Sequence, residues 1–72
     1  FRAIAKNCSF RQATLKRADL READLSNSDF SEASLEDANL ERATFQCAKL
    51  VSCDMDGCNR LNTSFQHALM PP

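Results

Sequence analysis

The sequence predicts an all-β fold in which the chain coils into a short solenoid. A large apolar residue recurs at every fifth position, without a break, from Phe10 to Met55. A small residue stands two positions before each of them, from Cys8 to Cys53, and a mostly short polar residue separates the two. Self-similarity at a fixed period is the signature of a repeat architecture.

Each repeat has the pattern of a short strand followed by a turn. The small and the large residue are two positions apart, which places both on one side of an extended strand. The two remaining positions are mostly charged or polar, and we interpret them as a turn. A three-residue strand and a two-residue turn, repeated in tandem, must coil.

An amphipathic helix is the competing interpretation of a chain rich in alanine, leucine and glutamate. At about 100° per residue, a step of five residues turns the chain by roughly 140° net around a helix axis. The apolar residues would spread around the whole helix and form no stripe. The period of five therefore argues against a helix.

Two stretches of the chain resemble a known repeat family. The run Ala-Asp-Leu-Arg-Glu-Ala-Asp-Leu at 18–25 and the pentad Ala-Asn-Leu-Glu-Arg at 38–42 resemble the A(D/N)LXX pattern of pentapeptide-repeat proteins. The resemblance runs unbroken over 8–55. It implies a right-handed quadrilateral β-helix with four pentads per coil, so that residue n lies above residue n−20. At this length, it implies three to four coils.

This register predicts the core of the solenoid. The large apolar residues point inward and stack at intervals of 20, with Phe10 below Phe30 and Phe45 below Phe65. The predicted core consists of Phe10, Leu15, Leu20, Leu25, Phe30, Leu35, Leu40, Phe45, Leu50, Met55 and Phe65.

The size of the chain allows one domain, which we place at 1–72. We expect a regular solenoid over 8–55 and an irregular last coil over 56–72, because Arg60 occupies a large apolar position. An unpaired arginine enters an apolar interior only at a large free-energy cost. Either Leu61 slips inward, or Asp56 and Gly57 open a local bulge. Because the first residue is Phe1 rather than Met, we expect an excerpt of a longer chain.

The charges are unevenly distributed although the net charge is only −1. Six of the nine basic residues lie in the first 21 positions, and eight of the ten acids lie between Asp19 and Glu41. Stacking at 20-residue intervals predicts exposed charge pairs between coils. It also predicts an acidic patch, either a solvated outer face or an interaction surface, formed by Glu32, Glu36, Asp37 and Asp56.

The four cysteines invite a search for a metal site or a disulfide. Cys8, Cys53 and Cys58 occupy the small inward position, where a free cysteine acts as an apolar filler. A disulfide is an alternative, and the pattern does not choose its pairing. Cys47 falls at a turn position. We expect no metal and no cofactor, since the spacing of Cys47, Cys53, Cys58 and His67 does not match paired zinc-ligand patterns.

The sequence favours a non-enzymatic protein–protein interaction module or structural spacer. It contains no nucleophile elbow, phosphate loop or ordered Ser-His-Asp set, and His67 is its single histidine. We expect a protein partner. We expect no direct nucleic-acid contact, because the phenylalanines assigned to the core leave no base-stacking platform, and we expect no membrane contact.

Two alternative functions stay open at this point. Some members of the family that the chain resembles mimic duplex DNA and bind topoisomerases, protecting against quinolones. Such a mimic needs a continuous acidic face, which Lys16, Arg17, Arg42 and Lys49 would interrupt. The other alternative is a redox-linked module that uses Cys47.

Overall fold

In a computed structural model, which describes residues 2–71, the chain alternates between two-residue turns and isolated parallel β-bridges. The turns lie at 6–7, 11–12 and every fifth pair up to 66–67, and the bridging residues lie at 4, 9 and every fifth position up to 69. Every bridge joins residues 20 positions apart, from Ile4 with Asp24 to Lys49 with Leu69. Four pentads therefore bring the chain back above itself. Over 2–71 there is no helix and no continuous strand, and hence no helix that could span a membrane.

Backbone hydrogen bonds join each pentad to the coils above and below it. The amide of the large residue donates to the coil above, as from Phe30 to the carbonyl of Lys49 at 2.7 Å. The amide of the polar residue donates to the coil below, as from Asp29 to the carbonyl of Cys8 at 3.0 Å. The amide of the second turn residue also donates upward, as from Glu32. Three of the five amides in a pentad thus connect neighbouring coils.

Every turn has a positive φ at its second residue. The φ values are 58° to 62° at 12 non-glycine turn residues and 71° at Gly57, and Arg2, at the same pentad position before the first described turn, has a φ of 58°. The amide that follows the turn donates to the carbonyl before it, as from Ala33 to Phe30 at 3.1 Å, which matches a type II turn. None of the 13 residues is β-branched, and three are asparagine, which tolerates a positive φ well.

The side chain of the short polar residue accepts a hydrogen bond from the amide two positions later, that of the first turn residue. The carboxylate of Asp29 accepts from the amide of Ser31 at 2.9 Å, and the amide oxygen of Asn39 accepts from the amide of Glu41 at 3.1 Å. This is an Asx turn, and it explains why aspartate or asparagine recurs at this position. The side chains that make this contact belong to Asp19, Asp24, Asp29, Ser34, Asn39, Asp54 and Asn59.

The large residues of the middle coils are fully buried. Phe30, Leu35, Leu40, Phe45 and Leu50 each have a relative exposure of 0%. Leu25 and Met55 are also buried, whereas the predicted core residues nearer the two ends are half-buried: Phe10, Leu15, Leu20 and Phe65.

The phenylalanine rings pack as the 20-residue register predicts. Phe10 stacks on Phe30 with the ring centroids 4.7 Å apart, and Phe45 stacks on Phe65 at 5.4 Å. Phe30 and Phe45 meet edge to face at 5.3 Å, which links the two columns inside the coil. Both arrangements are favourable for aromatic pairs.

One buried polar side chain lies among the small positions. Ser28 is 1% exposed, and its hydroxyl donates to the carbonyl of Ala5 at 2.9 Å and accepts from the amide of Cys8 at 3.3 Å. Over 2–71, no buried side-chain nitrogen or oxygen is left without a hydrogen bond. The interior therefore combines close packing with a hydrogen-bond partner for every buried polar side-chain atom described.

The last coil keeps the regular register, where the sequence predicts an irregular one. Asn59 bridges Asn39, Ser64 bridges Thr44, and the turns stay five residues apart. Leu61 is 58% exposed, so it has not slipped inward. Arg60 remains at the inward position of an end coil, and its side chain is exposed to solvent. Because its guanidinium is exposed to solvent, the backbone needs no bulge.

We expect Phe30→Ala to destabilise the fold far more than Phe65→Ala. Removing a fully buried phenylalanine costs about 3–5 kcal/mol, because it leaves a cavity, and a half-buried ring at the end coil should cost clearly less. Urea denaturation of both variants measures this difference. If Phe30→Ala fails to fold, Phe30→Leu and Phe65→Leu should keep the same order; equal losses at both positions would contradict the description of the core.

Candidate interaction surface

The turn residues form four columns along the solenoid, one at each corner. One column carries Lys16 and Arg17 in the first layer, Glu36 and Asp37 in the second, and Asp56 and Gly57 in the third. Backbone hydrogen bonds of 2.9 Å, from Arg17 to Glu36 and from Asp37 to Asp56, stack these turns directly. We call Glu36, Asp37 and Asp56 the acidic corner.

The structure brings together three of the four residues of the predicted acidic patch. Glu32 lies on the neighbouring corner, where its carboxylate accepts from the side-chain amide of Gln12 at 3.0 Å. Within the acidic corner, Glu36 lies 3.5 Å from the ammonium of Lys16. The carboxylate of Asp37 lies against Gly57, in the space that a Cβ would occupy, so the only glycine of the chain leaves room for it.

Salt bridges join the first and second layers on all four corners. In each pair, a basic side chain of the first 20 residues meets an acid 18 or 20 positions later, at 2.7 to 3.6 Å. Such exposed pairs contribute less than about 1 kcal/mol each, but they favour this register over others. The pairs are Arg2 with Glu22, Lys6 with Asp24, Arg11 with Asp29, and Lys16 with Glu36.

Three aspartates at bridge positions have lowered pKa values. Hydrogen bonds from Arg21 lower the pKa of Asp19 to about 2. The hydroxyl of Ser26 lowers the pKa of Asp24, and that of Ser31 lowers the pKa of Asp29, in each case helped by the backbone amide of the same serine. In the folded chain, all three carboxylates therefore stay ionised at pH values below the usual pKa of an aspartate.

The four cysteines are free thiols in different environments. Cys53 is buried, and this burial raises the pKa of its thiol to about 11. Cys58 is half-buried, while Cys8 and Cys47 are exposed. The position of Cys8 is the small inward one, but it belongs to an end coil, so the expected role as a buried filler does not hold for it.

Cys47, Cys53 and His67 occupy different parts of the solenoid. Cys53 lies inside the solenoid, whereas Cys47 lies on a corner, with the turn of His67 one layer above it. Among residues 2–71, no three side chains of histidine, cysteine, aspartate or glutamate come close enough together to hold a metal ion.

Comparisons with known proteins agree with this architecture. The coil of stacked pentads defines the chain as a β-solenoid repeat protein. A model of the family described as pentapeptide repeats matches residues 2–31 and 23–59, with eight copies of the repeat. The chain belongs to the pentapeptide-repeat family, whose members form a right-handed quadrilateral β-helix.

Two solved structures of similar fold are longer than this chain. A pentapeptide repeat protein from the cyanobacterium Cyanothece 51142 is 24% identical, with a TM-score of 0.50, and the match covers 99% of this chain and 58% of that one. HetL, a pentapeptide repeat protein involved in heterocyst differentiation regulation in Nostoc sp. strain PCC 7120, is 22% identical, with a TM-score of 0.60, over 93% of this chain and 40% of that one. At these identities, the likeness shows the fold alone. No curated protein sequence matches the chain.

We expect the free energy of unfolding to fall as the pH drops from about 4 to about 2. An aspartate whose folded pKa is depressed stabilises the fold above its unfolded pKa, near 3.8, and this stabilisation is lost as the pH falls through the folded pKa, about 2 for Asp19. Urea denaturation at several acidic pH values measures the loss. The double variant Asp19→Asn, Asp29→Asn keeps the turn acceptors without titrating, so it should show a shallower pH dependence; an unchanged slope would contradict the assignment.

We expect alkylating reagents to label the cysteines in an order that follows their exposure. The thiolate is the reactive form, so burial and a raised pKa should make Cys53 the slowest to react. Cys8 and Cys47 should react first. Mass spectrometry of the native chain at mildly alkaline pH gives the order, and urea-unfolded chain, in which all four should react alike, serves as the control. Rapid labelling of Cys53 in the native chain would be inconsistent with its burial.

Proposed function

We propose that the chain is a non-enzymatic protein–protein interaction or spacer module, a short stack of three to four coils that presents a regular polar surface to a protein partner. The observation that carries the proposal is the division of roles within the pentad. The large residue fills the core, the small residue fits the corner, and the short polar residue accepts a hydrogen bond from the turn that follows. The two turn positions are the ones left for side chains that meet a partner.

The corner columns are suited to recognition because they are rigid. Layers of the coil lie about 4.8 Å apart, the spacing of neighbouring strands, so each corner displays side chains at a fixed interval. A preorganised surface loses little conformational entropy when it binds. The same regularity suits a spacer, which holds neighbouring parts of a protein at a fixed separation.

The acidic corner is the part of this surface that fits a charged partner best. Among residues 2–71, Glu22, Asp24, Asp29 and Glu36 each face a basic side chain. Within this range, Asp37 and Asp56 form no ion pair, nor do Glu32, Glu41 and Asp54, but only Asp37 and Asp56 share one corner in adjacent layers. Uncompensated charge favours a ligand of opposite sign. A basic segment of another protein is therefore the partner that this corner would recruit.

The charge pairs weigh against one of the two alternatives that the sequence left open, the mimic of duplex DNA. A mimic of duplex DNA needs a continuous acidic face, and salt bridges from the first layer interrupt the acids of the second layer on every corner. The redox alternative rests on the exposure of Cys47 alone. We therefore retain the interaction module.

We expect the immobilised chain to retain a specific protein from lysate of its source organism, and to lose it when the acidic corner is neutralised. The variant Glu36→Gln, Asp37→Asn, Asp56→Asn removes two unpaired charges and one that forms only an exposed pair with Lys16, so the fold should persist while affinity falls. Quantitative mass spectrometry of the captured proteins measures the difference.

A matched control removes three acids outside the acidic corner: Glu22→Gln, Glu32→Gln, Glu41→Gln. This variant has the same net charge and should retain the partner. If both variants lose the partner equally, the acidic corner is not the contact. If the unmodified chain retains no specific protein, the module is a spacer.

A further inference from the structure

One corner of the solenoid places a thiol and an imidazole in adjacent layers. The backbone amide of Cys47 donates to the carbonyl of Gln66 at 3.0 Å, which stacks the turn at 46–47 directly below the turn at 66–67. Cys47 and His67 thus hold the same turn position one layer apart. Motifs of closely spaced ligands do not reveal this pair, because residues 20 positions apart become neighbours only through the coil.

The two residues share one backbone conformation. Cys47 has a φ of 62° and His67 has a φ of 61°, so both side chains leave their turns in the same direction. Equivalent positions in adjacent layers lie about 4.8 Å apart, the spacing of neighbouring strands. Both residues are exposed, so neither side chain is held inside the core and each is able to rotate towards the other.

The layer spacing fits one metal ion between the two side chains. Zinc sets the scale: it binds thiolate sulfur at about 2.3 Å and imidazole nitrogen at about 2.0 Å, so a linear S–metal–N unit spans about 4.3 Å. This length is slightly below the layer spacing of about 4.8 Å, and rotation of the side chains makes up the difference. The geometry depends only on two stacked turns and not on the layers at either end.

The charge of this corner favours a monovalent ion. Its turns, at 6–7, 26–27, 46–47 and 66–67, carry amides, a hydroxyl, a thiol, an imidazole and one lysine, but no carboxylate. A thiol loses its proton when it binds a metal, so a thiolate, a monovalent cation and a neutral imidazole form an uncharged complex. A divalent ion would leave a net positive charge that no carboxylate of these turns neutralises.

The number and type of ligands also select a soft monovalent cation. Cu(I) and Ag(I) accept linear coordination by two ligands, and thiolate and imidazole are among the ligands that copper prefers. Structural zinc requires a complete tetrahedral set, and calcium requires oxygen ligands. Among residues 2–71, no third side chain of histidine, cysteine, aspartate or glutamate is close enough to complete such a set.

An open surface groove gives an ion access to Cys47. The groove has a volume of about 430 Å³ and is lined by Cys47, Asn27 and Lys49 among others. Cys8 lines the same groove two layers below, about 10 Å away at the spacing of strands, which is too far to share the ion. Cys47 is therefore the thiol of this groove that a cation would bridge to a histidine.

We propose that Cys47 and His67 form a two-ligand site for a soft monovalent cation of the Cu(I) class. The thiolate and one ring nitrogen bind the ion from adjacent layers, and the bound ion joins the two turns. This site goes beyond the proposed interaction module and shares no residue with the acidic corner, so the two proposals fail separately.

The ring nitrogens of the single histidine test the ligation directly. Ag(I) is the probe, because it shares the soft, two-coordinate chemistry of Cu(I) and is not oxidised by air. In NMR spectra of the isotope-labelled chain, one equivalent of Ag(I) should shift one ring nitrogen of His67 strongly. Cys47→Ser should abolish this shift, and Ser52 shows that serine adopts the same turn position. An unmoved ring in the unmodified chain, or an equal shift in Cys47→Ser, would overturn the proposal.

A matched control removes the other exposed thiol. Cys8→Ser leaves Cys47 and His67 in place, and Ser28, one layer above, shows that serine fits this column. This variant should keep the shift that Ag(I) induces in His67. Loss of the shift in Cys8→Ser would mean that the ring responds to silver bound elsewhere, which would contradict the assigned pair.

Moving the histidine tests whether binding depends on the stacking of the turns. In the Cys8→Ser background, His67→Asn should weaken Ag(I) binding by more than about tenfold, the lower end of what even outer-shell changes cost at metal sites. Adding Asn27→His, which places the ring one layer below Cys47 at the same corner, should restore the affinity. Adding Asn62→His, which places it on the neighbouring corner, should not. Competition with a soluble Ag(I) chelator measures each affinity, and rescue by both positions or by neither would refute the stacked pair.

Protection of the thiol tests the class of the ion. Ag(I) should slow the alkylation of Cys47 in the unmodified chain, because the metal-bound sulfur is no longer free to attack the reagent. An equal concentration of Zn(II) should leave the rate unchanged, because the corner lacks the further ligands that zinc requires. Mass spectrometry of the alkylated chain measures both rates. Protection by Zn(II) at a lower concentration than Ag(I) would contradict a site for a soft monovalent cation.

Discussion

The backbone hydrogen bonds between layers, which join residues about 20 positions apart, are the interaction on which the rest of this structure depends. A chain of 72 residues buries too little surface to rely on an ordinary globular core. Here the amides of each middle pentad donate three such bonds to its neighbouring layers, and each layer contacts only the layers next to it, as in other solenoids. Because the register places residue n above residue n−20, it determines the ring columns, the charge pairs and the corner columns together.

The turn is the constraint that limits what each pentad position can carry. A positive φ at this pentad position disfavours β-branched side chains, yet 13 non-glycine residues of eight types adopt it, among them arginine, glutamate, asparagine and cysteine. The Asx acceptor then favours aspartate or asparagine before the large residue. Two outward positions per pentad remain for function. Binding specificity in such a fold therefore depends on which corner and which layer a charge occupies.

The period of five was sufficient to predict the fold, the inward residues and the ring pairs, because each follows from arithmetic on the register. Features that depend on the ends of the stack were harder to predict. Cys8 has the sequence pattern of a buried filler, but it is exposed in the first described layer. Arg60 suggested an irregular coil, and the backbone stays regular because its side chain is not covered. Glu32 was grouped with Glu36 although one pentad, and hence one corner, separates them.

The most direct test of the 20-residue register is a cross-layer disulfide that uses a natural cysteine. Asn27 lies one layer below Cys47 at the same corner, at a separation of about 4.8 Å between strands, which falls within the Cα range of disulfides. In a Cys8→Ala background, Asn27→Cys should oxidise to an intramolecular disulfide with Cys47. Ser52→Cys, which lies on the next corner, should not pair with Cys47. Peptide mapping under oxidising conditions decides between the two. If Asn27→Cys leaves Cys47 free while Ser52→Cys captures it, the chain does not repeat every 20 residues, and the proposed layers are wrong.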